Sequence, residues 1–366
     1  MKIWVFGSSI VSSYWNGAAT YYRGIYKYLA RRGHAITFAE PDAYGRQQHR
    51  DEGDFAYVES VVYRQGADIE RMLDRAADHD VVIKHSGVGA DDALLERLTA
   101  ELADDRPCFF WDVDSPATLA RLRANAADPF REAIPRYAGI LSYGGGPASR
   151  EGYLEFGARF YRAIYNGLDP ETHFPVRPDP ELACDVAFLG NRLPDRERRV
   201  EELFLHAAEL APEQKFLLGG EGWGDKEIPA NVRWIGHVPT GDHNRVNSSA
   251  GMVMNINRDS MASFGFSPPT RIFEVAGAGA CMLCDDWPGI DDCFEPGREI
   301  VVIRSAADVV DALRRYGRED RVEIGRAFRE RALRDHTYAQ RAAAAEAAFM
   351  QAMSEMSTGL EPIPLA

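Results

Sequence analysis

The residues best suited to chemistry crowd the start of one predicted helix, in SFGFSPPTRIFEVAGAGA between Ser263 and Ala280. Gly265, Phe266 and Ser267 form a turn, expected to contact the ligand, ahead of Pro268 and Pro269, which fit a first helical turn because no backbone N–H is needed there. A helix that begins this way offers uncommitted N–H groups and the positive end of its dipole, a setting that suits an anion. Arg271 and Glu274 are three residues apart and share a helix face, so a guanidinium can meet a phosphate while a carboxylate accepts hydrogen bonds from a pair of hydroxyls. That combination suits a nucleotide diphosphate and its ribose. A simple ion pair on a solvated face, with Gly277 and Gly279 allowing close helix–sheet packing, accounts for the same residues equally well.

Other candidates stand where predicted strands end. His85 closes DVVIKH, and Asp112 and Asp114 fall at the end of PCFFWDV and just beyond it. A general base needs hydrogen-bond reach to an acceptor hydroxyl and a pKa near working pH, which makes these three the candidates. Asp114 also precedes SPATLARLRA, where an aspartate would cap the helix. Gly17, in NGAAT, either lets backbone approach phosphate or acceptor or makes a turn. In GGEGWGD, Gly219, Gly220 and Gly222 open space beside Trp223, which stacks on a ligand or fills the core.

To hold such residues in place the chain must supply strands with open C-terminal ends. KIWVFG, AITFAE, DVVIKH and PCFFWDV read as strands, and GAATYYRGIYKYLARRGH, DIERMLDRAA and ALLERLTAEL as intervening helices. After the proline-rich HFPVRPDPELA, read as an interdomain linker, the alternation resumes with DVAFLGN, VEELFLHAAEL, KFLLGGEGW, VRWIGHV, GMVMNIN, TRIFEVAGAG, ACMLCD, EIVVI and DVVDALRRY. Alternating strands and helices imply parallel sheets wound on both faces, with ligands bound beyond the strand C-termini. Two successive α/β domains are expected from 366 residues.

Composition narrows the partners. A net charge of −14 disfavours nucleic acid, whose backbone calls for a basic surface. No apolar run is long enough for a membrane span and MKIWVFGSS is no export signal, so the expected location is the cytoplasm. The five cysteines are expected as buried free thiols, since Cys281 and Cys284 sit within the apolar run ACMLC without a companion pair of metal ligands. No Walker-type phosphate loop is present.

The stretch GFSPPTRIFEVAGAGACMLCDDWPGIDDCFEPGREIV resembles the C-terminal domain of CgeB-like glycosyltransferases, named after a spore maturation protein. NGLDPETHFP, DVAFLGNRLPDRERR and RALRDHTYAQR are collinear with it, so the resemblance runs from Asn166 to Arg341. It implies a GT-B fold: two Rossmann-like doubly wound α/β domains facing an interdomain cleft. Residues 1–172 would bind the acceptor, joined by a C-terminal helix at 338–366, and residues 173–337 would bind the nucleotide sugar. The resemblance also implies that Glu274 meets the donor ribose, that Arg271 and Arg196 flank the diphosphate with Arg192 assisting, and that His237 lies near the base. His85 resembles a strand-end histidine that contacts donor sugar hydroxyls in retaining relatives. The arginines would stand in for a metal ion, so neither metal nor cofactor is expected.

One departure is specific. Retaining relatives carry a first glutamate eight residues before the one matching Glu274, and Phe266 occupies that position here. Its contact with the sugar would pass to Asn257, Asp259 or backbone N–H groups near Gly265. The expected function is metal-independent transfer of a sugar from a nucleotide-diphosphate donor to a hydroxyl on a glycan, small molecule or protein, with retention slightly favoured. A nucleotide-sugar 2-epimerase on the same fold and a noncatalytic sugar-binding or coat-type protein are the alternatives. The sequence carries no sign of oligomeric state.

Overall fold

The computed structural model describes residues 1–14 and 16–358, and the chain divides into two units. The first comprises Met1–Asn166 and the helix Tyr338–Thr358, and the second Gly167–Thr337. The remainder of the helix expected at 338–366, residues 359–366, lies outside the described residues.

In the first unit seven parallel strands, β1 (Lys2–Phe6), β2 (Ala35–Pro41), β3 (Glu59–Tyr63), β4 (Val81–His85), β5 (Cys108–Asp112), β6 (Gly139–Ser142) and β7 (Tyr161–Ala163), take the order β3-β2-β1-β4-β5-β6-β7. The central strands β4 and β5 are buried at every position, which is why each begins as an apolar run, VVI and CFFW, before its polar C-terminal end. The edge strand β3 is ESVVY, with mixed exposure, and the sequence pattern did not reveal it. The helix Tyr338–Thr358 closes this unit, burying Tyr338, Ala342, Ala345, Phe349 and Ala352 at helical spacing. It packs on the helix Ala19–Arg31, where a side chain at Gly24 would overlap the Tyr338 ring.

The second unit holds six parallel strands, β8 (Cys184–Leu189), β9 (Phe216–Gly219), β10 (Val232–Trp234), β11 (Ala250–Asn255), β12 (Met282–Asp285) and β13 (Val301–Ile303), in the order β10-β9-β8-β11-β12-β13. Strand order reverses between β8 and β11, so the loops leaving these two strands diverge and open a crevice.

The unit boundary falls at Asn166–Gly167 rather than after residue 172, because Leu168 is wholly buried in the second core beside Ile272, Phe273 and Phe328. Nor is the proline-rich stretch a free linker. The Val176 and Asp179 amides donate to Ser248 and Ser249 hydroxyls, and Asp179 pairs with Arg245 at 2.7 Å, fastening the segment along the helix His243–Ser249. Cys281 and Cys284, three residues apart at β12, are free thiols buried in different clusters, and burial pushes Cys281 up to about 12.

Candidate functional site

The crevice at the strand-order reversal of the second unit is a cavity of about 360 Å³. The ends of β8 and β11 supply Gly190 and Asn257, and Gly219 and Gly220 come from the end of β9. His237 and His243 form another wall, and Pro269, Thr270 and Arg271 bring in the start of the helix Thr270–Ala278. Gly220 has φ +127°, and a side chain there would run into the Gly190 carbonyl, so only glycine lets these loops meet. Trp223 is a core residue: it is buried and its indole N–H donates to the Gly190 carbonyl at 2.9 Å.

Charge in the cavity is mostly positive. Arg196 lies against Gly190, its buried Nε has no hydrogen-bond partner, and its side chain makes no ion pair among the described residues. Burial, then repulsion from Arg271 and Arg258, pushes its pKa down. Arg258 also lines the cavity but is paired with Asp195 at 2.6 Å. The helix that begins at Thr270 has no side-chain cap, so its first N–H groups and dipole add to the positive end.

Arg271 Nη1 lies 2.9 Å from Glu274 Oε2, close enough for ion pairing, but its angle makes no hydrogen bond and the buried Nη1 keeps its donor capacity. The same Oε2 faces His243 Nδ1 at 3.1 Å, and His243 Nε2 faces the Val238 carbonyl at 3.2 Å. Both ring nitrogens therefore meet acceptors. Burial alone pushes the Glu274 carboxyl up, but Arg271, His243 and His173 outweigh it and hold the group far below the ordinary range.

Glu274 is thus turned inward and reaches the cavity through Arg271 and His243, which do line it. His243 was not singled out from sequence. It sits in GDHNRV, which carries no motif, and only the fold brings it to Glu274.

The turn before the helix behaves differently from expectation. The Gly265 amide donates to the Met261 carbonyl at 3.0 Å and the Phe266 amide to the Pro288 carbonyl at 2.7 Å, so these N–H groups are committed within the protein. Phe266 holds φ +47° and its ring covers Gly289. The Ser267 hydroxyl donates to the Gly265 carbonyl, and none of the three lines the cavity. Arg192 is likewise engaged elsewhere, between Glu197 at 2.7 Å and Asp225 at 2.9 Å.

In the first unit, two of the three expected bases are enclosed. His85 is 1% exposed, packed against Tyr22 and Trp111, with Nε2 2.5 Å from the Tyr26 hydroxyl. Burial lowers its pKa to about 3, so it is neutral and shut away from any substrate. Asp112 is fully buried and organises the strand ends, accepting from Ser86, the Asp114 amide and the Tyr153 hydroxyl. Asp114 is exposed and caps the helix Ser115–Ala124, with the Ala117 amide 3.5 Å away. Gly17 is exposed, and a side chain there would meet nothing within 4 Å, so no close approach demands a glycine.

Among the described residues no helix is long and apolar enough to cross a membrane, and no group of three or more His, Cys, Asp or Glu could hold a metal ion. No curated protein matches the chain by sequence. The family described as glycosyl transferase-like matches residues 196–347. Among solved structures, Anabaena HepE in complex with UDP and glucose is similar at 12% identity and TM-score 0.66, over 96% of this chain and 99% of that one. Sucrose-phosphate synthase from Thermosynechococcus elongatus is similar at 12% identity and TM-score 0.64, over 97% and 99%. A glycosyltransferase from Rickettsia africae is similar at 8% identity and TM-score 0.68, over 96% and 98%. The chain therefore has the two-domain GT-B fold, and its residues 196–347 are similar to the glycosyl transferase-like family.

Proposed function

We propose that the protein is a glycosyltransferase of the CgeB-like kind, which moves a sugar from a nucleoside diphosphate donor to a hydroxyl acceptor. The observation that carries this reading is Arg196, a largely buried guanidinium that lines a cavity beside Arg271 without a carboxylate of its own. Arg196, without an ion pair among the described residues and beside an uncapped helix start, needs an anion to complete it. The diphosphate of a sugar nucleotide supplies it, in keeping with the family match at residues 196–347 and the UDP bound by HepE.

In such a transfer the bond from the anomeric carbon to the diphosphate oxygen breaks, the acceptor oxygen bonds to that carbon, and negative charge collects on the leaving group. Arg196, Arg271 and the first N–H groups of the helix at Thr270 are set out to stabilise that charge, the task a divalent cation performs in other transferases, so the reaction runs without one. Glu274 acts one step back, fixing Arg271 and His243. His237 lines the cavity and would meet the base of the nucleotide. The first unit takes the acceptor. With His85 and Asp112 enclosed, Asp114 is the one of the three carboxylate and imidazole candidates able to accept the hydroxyl proton. Retention is slightly favoured: there the departing diphosphate takes that proton itself, and Asp114 would serve as base only in an inverting transfer.

The test is thermal stabilisation by a panel of nucleoside diphosphates and sugar nucleotides, followed by donor turnover with excess chelator present. Stabilisation by at least one nucleoside diphosphate, lost in Arg271→Ala, is the expected result. An Arg271→Ala variant with unchanged affinity and turnover refutes the assignment. Formation of an isomeric sugar nucleotide from donor alone, without acceptor, would identify an epimerase instead.

A further inference from the structure

The cavity wall contains a second uncommitted group. Asn257, just past β11, is 3% exposed, and its Oδ1 is shielded from solvent with no hydrogen-bond partner. No protein group satisfies the other end of this amide either: the backbone N–H of Asn257 is held by Asp285 at 2.9 Å, but the side chain makes no hydrogen bond among the described residues. Its neighbour Asn255 is by contrast anchored, its Nδ2 donating to Asp285 Oδ1 at 3.1 Å. A buried amide left this way costs stability, and it is retained where a ligand completes it.

We infer that Asn257 recognises a hydroxyl of the donor sugar and sets which sugar is accepted. This assignment rests on the reading of the cavity as a donor site. Arg196 and the helix start provide for the diphosphate, and both are cationic, whereas Asn257 offers a neutral amide to the same cavity. A neutral acceptor buried in a wall matches a hydroxyl rather than a phosphate. Phe266 is held against Gly289 and cannot make this contact, and the Gly265 and Phe266 amides are already used. The sugar contact therefore comes from the strand end, on a backbone clamped by Asp285, which is itself held by Arg199 at 2.6 Å and by the Asn255 amide at 3.1 Å.

The test compares binding of a nucleoside diphosphate with binding of its hexose derivative, UDP against UDP-glucose and GDP against GDP-mannose, by calorimetry. Asn257→Leu removes the amide at similar volume, and Asn257→Asp keeps an acceptor oxygen. Asn257→Leu should leave the affinity for the free diphosphate within twofold, weaken the sugar nucleotide about fivefold, and raise the unliganded melting temperature by about 2–4 °C. Asn257→Asp should recover most of the sugar-dependent affinity. If the free diphosphate binds and Asn257→Leu keeps the wild-type ratio of the two affinities, the role assigned to Asn257 is wrong while the donor site stands. A lower melting temperature with both affinities reduced together would make Asn257 a structural residue and overturn the inference. If no nucleoside diphosphate binds the unaltered protein, the donor-site reading falls and this assignment with it.

Discussion

Replacing Arg196 by methionine separates what this residue does for the ligand from what it does to the fold. In the unliganded protein the guanidinium is largely buried, its Nε lacks a partner, and Arg271 and Arg258 repel it. Its folded-state pKa is lowered, so the fold holds the charged form less well than the unfolded chain does. Arginine stays protonated throughout the working range, and the penalty is therefore present at every pH below the folded value. Methionine keeps the aliphatic volume and removes the penalty, which should raise unliganded stability by about 1 kcal/mol, or about 2–4 °C in melting temperature. Binding responds in the opposite sense. Loss of a charge-assisted contact to a diphosphate costs about 2–3 kcal/mol, so the dissociation constant should rise about 30- to 150-fold. Scanning fluorimetry of the unliganded variant and calorimetry with the best-binding nucleoside diphosphate read the two effects separately. A variant that melts lower and binds the nucleotide as tightly as the unaltered protein would show that Arg196 is a structural cation, and the anion-site argument would collapse.

Glu274→Gln should cost about 3 kcal/mol at neutral pH, since it leaves Arg271 and His243 facing each other without a carboxylate. Because the Glu274 carboxyl is held far below its unfolded value, the stability it contributes is present above about pH 4.3 and fades as pH falls below it; denaturant titrations at a series of pH values should show the variant and the unaltered protein converging in acid. His85→Gln should lower stability by about 1–3 kcal/mol yet leave the pH profile of kcat/KM at its original midpoints, and a displaced midpoint would return His85 to the catalytic list. In the unaltered protein the neutral, buried imidazole contributes stability that is lost as pH drops from about 6.5 toward the folded value of about 3, and that loss should be absent from the variant. Gly289→Ala, at φ +89° and against the Phe266 ring, should destabilise the protein by at least about 1–3 kcal/mol, measured by urea unfolding.

The alternation of strands and helices was legible because the strands of a doubly covered parallel sheet need an apolar central run, as VVI in DVVIKH and VAFL in DVAFLGN are. ESVVY escaped for the converse reason, being an edge strand with exposed positions and no uniform run. The central position that the apolar run of DVVIKH marks also argues against its terminal histidine as a base, since burial extends through Lys84 to the last residue. Arg196 and Arg271 were legible from the type of residue and the resemblance. Gly265, Phe266 and Ser267 were read as ligand contacts because local sequence does not say which carbonyl will claim an amide, and here Pro288, distant in the chain, claims that of Phe266. His243 was beyond reach for the related reason that its partner lies 31 residues on.

The helix Tyr338–Thr358 belongs to the unit that the chain starts, while everything from Gly167 to Thr337 belongs to the other. On the ribosome, the segment forming the second unit is complete and contiguous once Thr337 has emerged, so that unit is able to fold as it is made. The first unit emerges earlier but lacks Tyr338, Ala342, Ala345 and Phe349 from its core, leaving the face of the helix Ala19–Arg31 around Gly24 uncovered until the helix Tyr338–Thr358 has been made. The unit encoded first is thus completed only after the second has emerged, and during that interval it exposes an apolar helix face.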